Sequence, residues 1–164
     1  MARYDSSSAE ILVFTFKEGL LSAVAHDLKL KATKFTLEVE GDSAKLELEA
    51  GSLRVVSAMK DGAESPSAIP PSKFAEIEKN AFNDVLETKR HPTISFTTTS
   101  VTDTAVVGRL TLHGQTHELR GRRSGNSAEF QLDQRTFGIK PYSAMLGALK
   151  VKPEVTVKVT LRGA

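Results

Sequence analysis

The sequence predicts an all-β fold, with eight antiparallel strands closed into a barrel and one α-helix packed alongside. Three observations predict it. Apolar and polar residues alternate at period two along most of the chain. Two short turn signals, Gly41-Asp42 and Gly114-Gln115, divide alternating segments at hairpin spacing. Only the stretch 72–87 carries helical spacing instead, through Phe74, Ile77, Ala81, Phe82, Val85 and Leu86.

The first strand, 10–17, is apolar on both parities. Leu12, Phe14 and Phe16 share one and Ile11 and Val13 the other. Phe14 and Phe16 are assigned inward, which leaves Ile11 and Val13 outward. Strands 27–40 and 43–56 fold about Gly41-Asp42, pairing Val39 with Ala44, Leu37 with Leu46 and Phe35 with Leu48. The same register pairs Leu30 with Leu53 and Leu28 with Val55, on the opposite parity. Both strands must therefore change face near Thr33-Lys34 and Ala50-Gly51, at a bend or paired bulge that turns a barrel corner.

Pro70-Pro71-Ser72 starts the helix, with Ser72 as N-cap, and Pro92 follows its end. Strand 92–99 carries Ile94 and Phe96. Strands 103–113 and 115–122 turn at Gly114-Gln115, read as type II′, pairing Leu112 with His117 and Leu110 with Leu119. Strand 126–135 alternates at Phe130 and Leu132. Strand 150–162 holds Val151, Val155, Val157, Val159 and Leu161 on one face and mostly charged residues on the other. Eight such strands close to remove their edges, and their interior holds either side chains or one small ligand.

The chain has 164 residues, enough for a single domain, 1–164, with its own core. It contains no cysteine, which excludes disulfides and thiolate chemistry. Its net charge is +2, with both signs interspersed, and no tryptophan is present. A nucleic-acid partner is therefore not expected. No apolar run reaches the length of a membrane span. The opening residues have no apolar signal region, so the expected location is the cytoplasm.

Candidate chemistry is sparse. His26-Asp27 is the most enzyme-like pair, but neighbours on a strand face opposite ways and no nucleophile or metal-protease motif accompanies them. Asp27 is read as satisfying backbone donors at a strand start, and His26 as a rim residue able to meet a ligand head group. His113 and His117 flank a turn on opposite parities, which argues against a shared metal. His117 falls on the apolar face, a polar handle near a barrel mouth. No cofactor and no metal are expected. Arg120 and Arg122 share a parity that Arg123 does not, so the three do not form one clamp.

Several segments resemble YceI-like proteins. Gly108-Arg-Leu-Thr-Leu-His-Gly-Gln-Thr116 is similar to that family's G-x-L-T-x-x-G-x-T stretch, His91-Pro-Thr-Ile-Ser-Phe96 to its P-x-I-x-F strand, and Arg135-Thr-Phe-Gly-Ile139 to its R-x-x-F-G-I segment. The resemblance implies an elongated lipocalin-like barrel that binds an isoprenoid or other fatty amphiphile, without catalysis, and forms a homodimer. The expected lining is Phe14, Phe16, His26, Leu28, Leu30, Phe96, Leu110, Leu112, His117, Phe130, Leu132, Phe137, Val155 and Val157. Two alternatives stand beside it. One is an interaction module with a filled barrel that uses Ile11 and Val13 as its seam. The other is an enzyme dependent on His26 or His117.

Overall fold

The computed structural model describes residues 2–18, 26–144 and 149–162. Strands β1 (Ala2–Tyr4) and β2 (Ala9–Thr15) precede a long bent hairpin made of β3 (Asp27–Ala32), β4 (Phe35–Glu40), β5 (Ser43–Glu49) and β6 (Leu53–Lys60). A short β7 (Ala63–Glu64) leads to the helix α1 (Phe74–Asn80). Then follow β8 (Thr93–Val101), β9 (Ala105–Leu112), β10 (Gln115–Ser124), β11 (Ser127–Asp133), β12 (Ser143–Ala144), β13 (Leu149–Lys150) and β14 (Glu154–Leu161). Twelve strands form one antiparallel sheet in the order β1-β4-β5-β8-β9-β10-β11-β14-β2-β3-β6-β7, and β12 and β13 form a separate ribbon.

The fold is β-rich with one helix, as the alternation predicts, but it is not a closed eight-stranded barrel. The expected strands 27–40 and 43–56 are each cut in two at the corner. Their near halves, β4 and β5, lie towards one end of the sheet, and β3 and β6 towards the other. The corner falls where the parity change puts it. Between Ala32 and Phe35 the chain changes face, opposite a 3₁₀ turn at Ala50–Ser52. The hairpin stays joined across it, because Thr33 N–H donates to Ser52 O (3.1 Å) and Glu49 N–H to Lys34 O (3.0 Å). The register beyond the corner differs from the expected one. Ala32 faces Leu53 and Leu30 faces Val55, a slip of two that leaves the same residues inward.

Near one end of the open ladder, part of the edge of β6 has no strand beside it. From Leu53 to Val55 this strand pairs only with β3. On its free side the amide of Val55 donates instead to the Glu78 carboxylate of α1 (3.0 Å). A helix thus occupies the place of a neighbouring strand, and its carboxylate satisfies a backbone donor that would otherwise be orphaned. The helical stretch starts as a 3₁₀ turn (Pro71–Lys73), runs as α1 and ends in a π turn (Ala81–Val85). Ser72 therefore lies inside the opening turn and is not the N-cap, and no side chain caps α1.

The β9–β10 turn is also displaced. Leu112 pairs with Gln115 and Leu110 with His117, so the turn residues are His113 and Gly114. Both have positive φ, 55° and 75°, the backbone of a type I′ turn rather than II′. The registers again differ by two, which preserves side-chain parity, so His117 remains on the inner face.

Candidate ligand-binding interior

The inner face is fixed by the pairing of β2 with its neighbours. Val13 stands opposite both Leu30 and Val157, and Ile11 opposite Val159. Ile11 is 2% exposed and belongs to a buried cluster with Ala9, Leu30, Ala32, Phe35, Leu48, Leu53 and Val55. This overturns the assignment of β2. Ile11 and Val13 point in, so they cannot form an outward seam. Phe14 stands on the outer face, between Lys29 and Thr156, and Phe16 continues its parity. The reason is that both parities of this strand are apolar, so alternation alone could not choose between them.

The other lining residues lie on the inner parity of their strands. Leu28 and Leu30 do so on β3, Phe96 on β8, and Leu110 and Leu112 on β9. His117 faces Leu110 from β10, Phe130 faces Val157, and Leu132 faces Val155. A second buried cluster joins Leu110 and Leu112 to Phe137 and Ile139. Phe82 and Leu86 of the helical stretch pack on the first cluster, while Val85 and Leu86 pack on the second. Val13, Leu28 and Val157, which pack against the first cluster, and Phe96 and Leu132, which pack against the second, are only half-buried although they sit on the inner face.

Two phenylalanines cross this interior. The Phe96 ring meets Phe130 edge-on, centroids 5.5 Å apart at 70°. Each lies over a glycine. A Cβ at Gly108 would fall 2.5 Å from Phe96 Cζ, and one at Gly121 would fall 2.5 Å from Phe130 Cδ1. The glycines clear the space that the rings occupy over the neighbouring strands. Near the β9–β10 turn, the His117 ring packs edge-on against Phe137 at 5.1 Å, and its Nε2 lies 3.2 Å from Gln115 Oε1.

Other candidate groups resolve into structural roles. Asp27 Oδ1 accepts from the Lys17 amide (2.8 Å), the backbone role expected of it. His26 lies half-buried just ahead of β3, outside the ladders. Arg120 and Arg122 are exposed on the outer face, beside an open concavity of about 620 Å³ lined also by Glu129 and Gln131. Arg123 turns back to the carbonyls of Gly125 and Thr102, at 3.1 Å each. One cluster escaped sequence reasoning. Glu87, His91 and His113 place their ligand atoms within 4.8 Å of one another. The only local signal was the four-residue spacing of Glu87 and His91.

A family model described as a YceI-like domain matches residues 5–162. The chain belongs to the YceI-like family. Among solved structures, this YceI-like chain is similar to BcnA of Burkholderia cenocepacia, with 15% identity, 93% of this chain and 94% of that one covered, and a TM-score of 0.60. It is also similar to a polyisoprenoid-binding domain from Saccharophagus degradans implicated in plant cell wall breakdown, with 11% identity, 93% and 91% coverage and a TM-score of 0.53. Both share its fold. No curated protein matches the chain. Among the described residues, no helix of this YceI-like domain is long and apolar enough to cross a membrane.

Proposed function

We propose that this YceI-like domain binds an isoprenoid or another long-chain amphiphile along the inner face of its sheet, carrying or sequestering it without chemical conversion. One observation carries the reading. The inward residues Val13, Leu28 and Val157, packed against one buried cluster, and Phe96 and Leu132, packed against the other, keep part of their apolar surface exposed. A close-packed interior leaves no such surface, and a hydrocarbon chain laid against it would bury it. Each methylene so buried is worth about 0.8 kcal/mol, so a long chain offsets its own ordering. Leu30, Leu110, Leu112, Phe130, Phe137 and Val155 form the walls behind this strip, and His117 offers one polar contact at its end. Family membership and the polyisoprenoid-binding neighbour support the ligand class.

Native mass spectrometry of protein purified without detergent tests this, together with uptake of a fluorescent fatty-acid analogue. Co-purified amphiphile, or displacement of the analogue by a long isoprenoid, is the expected result. A clean unliganded mass with no uptake overturns the reading.

A second reading, a homodimerising interaction module, draws on the outer face of β2. Leu12 is 9% exposed there, and Phe14 lies half-buried beside it, between strands that present Lys31 and Lys158. A monomer in sedimentation velocity across a wide concentration range removes it.

A further inference from the structure

Glu87, His91 and His113 come together at one end of the fold, where the turn after the helical stretch meets the β9–β10 turn. Glu87 Oε2 lies 3.1 Å from His113 Nε2 and 4.0 Å from His91 Nε2. The two imidazole rings stand 4.6 Å apart at 56°.

The hydrogen bonding of His113 is unbalanced. Its Nδ1 lies 3.3 Å from the carbonyl oxygen of Phe137, which can only accept. Its Nε2 faces a carboxylate, which when ionised can also only accept. A neutral imidazole has one N–H and satisfies one of the two. With Nδ1–H given to Phe137 O, the Nε2 lone pair points at the lone pairs of Glu87. A second proton on the imidazole, or a metal cation held between the two groups, resolves the clash. The Nδ1–H to carbonyl contact is also the arrangement that commonly orients metal-bound histidines.

The local backbone brings the three side chains together. Glu87 and His113 are two of only three non-glycine residues with positive φ among the described residues, at 50° and 55°. The Glu87–His91 turn is held by the amides of Arg90 and His91, which both donate to Glu87 O. The His91 ring lies over Gly114, where a Cβ would fall 2.9 Å from its Cε1. A side chain at 114 would evict that ring. At His113 this is the first position of the type I′ turn and at Glu87 the residue just past the helical stretch, so two ordinary turns deliver the side chains to one place.

We infer that Glu87, His91 and His113 form a binding site for a single divalent transition-metal ion of the zinc type. Two imidazoles and a carboxylate suit Zn²⁺, whose tetrahedral ligands stand about 3.3 Å apart, close to the spacing present. The side chains are 37%, 22% and 16% exposed, so the ion has a path in and a fourth position for water or an anionic oxygen. Arg90, 75% exposed and 3.3 Å from the same Glu87 oxygen, balances the carboxylate until metal enters and can swing to solvent.

The test uses the full, tag-free chain, with Zn²⁺ alone as the probe, titrated against a chromophoric chelator with bound metal counted by elemental analysis. The expected result is one equivalent per chain. Glu87→Gln, which keeps side-chain shape, and His113→Asn should each weaken binding about tenfold or more. His26→Asn should leave it unchanged, and Arg90→Gln should leave it unchanged or tighter. Co²⁺ should give visible absorption bands of low coordination number that Glu87→Gln abolishes. Circular dichroism of each metal-free variant confirms its fold, and Glu87→Gln decides the matter if His113→Asn fails to fold. Absence of one-to-one binding, or binding that survives Glu87→Gln unchanged, overturns the inference.

Discussion

The carboxylate of Glu78 accepts a hydrogen bond from the main-chain amide of Val55 at 3.0 Å, so a helix completes the edge of a strand. Glu78 Oε1 also lies 3.9 Å from Arg54 Nε, and the Arg54 guanidinium sits 5.7 Å above the Phe82 ring. Glu78→Ala leaves the Val55 amide without its partner and is expected to lower stability by about 1–3 kcal/mol. Arg54→Ala, whose side chain is half exposed, is expected to cost less than about 1 kcal/mol. Urea denaturation of the two variants checks the order. Equal effects would mean that the salt bridge, not the backbone bond, holds the helix.

Gly108 and Gly121 are expected to resist substitution. Alanine at either position places a methyl against a phenylalanine ring and also against a carbonyl, Thr97 O at 2.6 Å or Glu129 O at 2.8 Å. Each change should destabilise by about 1–3 kcal/mol through overpacking. Phe96→Leu should rescue Gly108→Ala only in part, because the carbonyl cannot move away as a side chain can. Thermal melts of the single and double variants measure the coupling.

The parity of β2 predicts which substitutions reach the ligand. Val13→Trp fills the inner strip and is expected to reduce uptake of a fluorescent fatty-acid analogue. Phe14→Ser, on the face with Lys29 and Thr156, is expected to leave uptake unchanged. Saturation binding on the two variants distinguishes the faces, and a loss confined to Phe14→Ser would reverse the inward assignment.

Asp133 supplies an acid-dependent contribution. Its carboxylate is held below the usual aspartate range, first by the Arg135 side chain (2.7 and 3.0 Å) and then by the Arg135 amide (2.9 Å). A carboxyl lowered on folding stabilises the fold above its unfolded-state value and loses that effect as pH falls through the folded value. Asp133→Asn should therefore be less stable than the parent at neutral pH, with the gap closing in acid below the ordinary aspartate range. Urea midpoints across that pH range check the direction.

The sequence by itself determined everything that depends on neighbours along the chain. The Gly41-Asp42 turn set the Phe35–Leu48 register, and the clash of parities between Leu28–Leu30 and Phe35–Leu37 located the corner near Gly51. The inward sets on β8, β11 and β14 followed from alternation with one wet face, because a strand with a single apolar side has only one way to lie. Tertiary structure decided the rest. Ile11 and Val13 were chosen over Leu12, Phe14 and Phe16 only by the residues they meet on β3 and β14, since an all-apolar strand carries no local preference. At the edge of β6 the Glu78 carboxylate of α1 takes a bond that a strand would otherwise have taken, and no periodicity records such a substitution. The meeting of Glu87 and His91 with His113 depends on two turns distant in sequence that the folded sheet brings to one end. Local patterns encode which face a residue takes, whereas the partners it finds there depend on how distant segments pack.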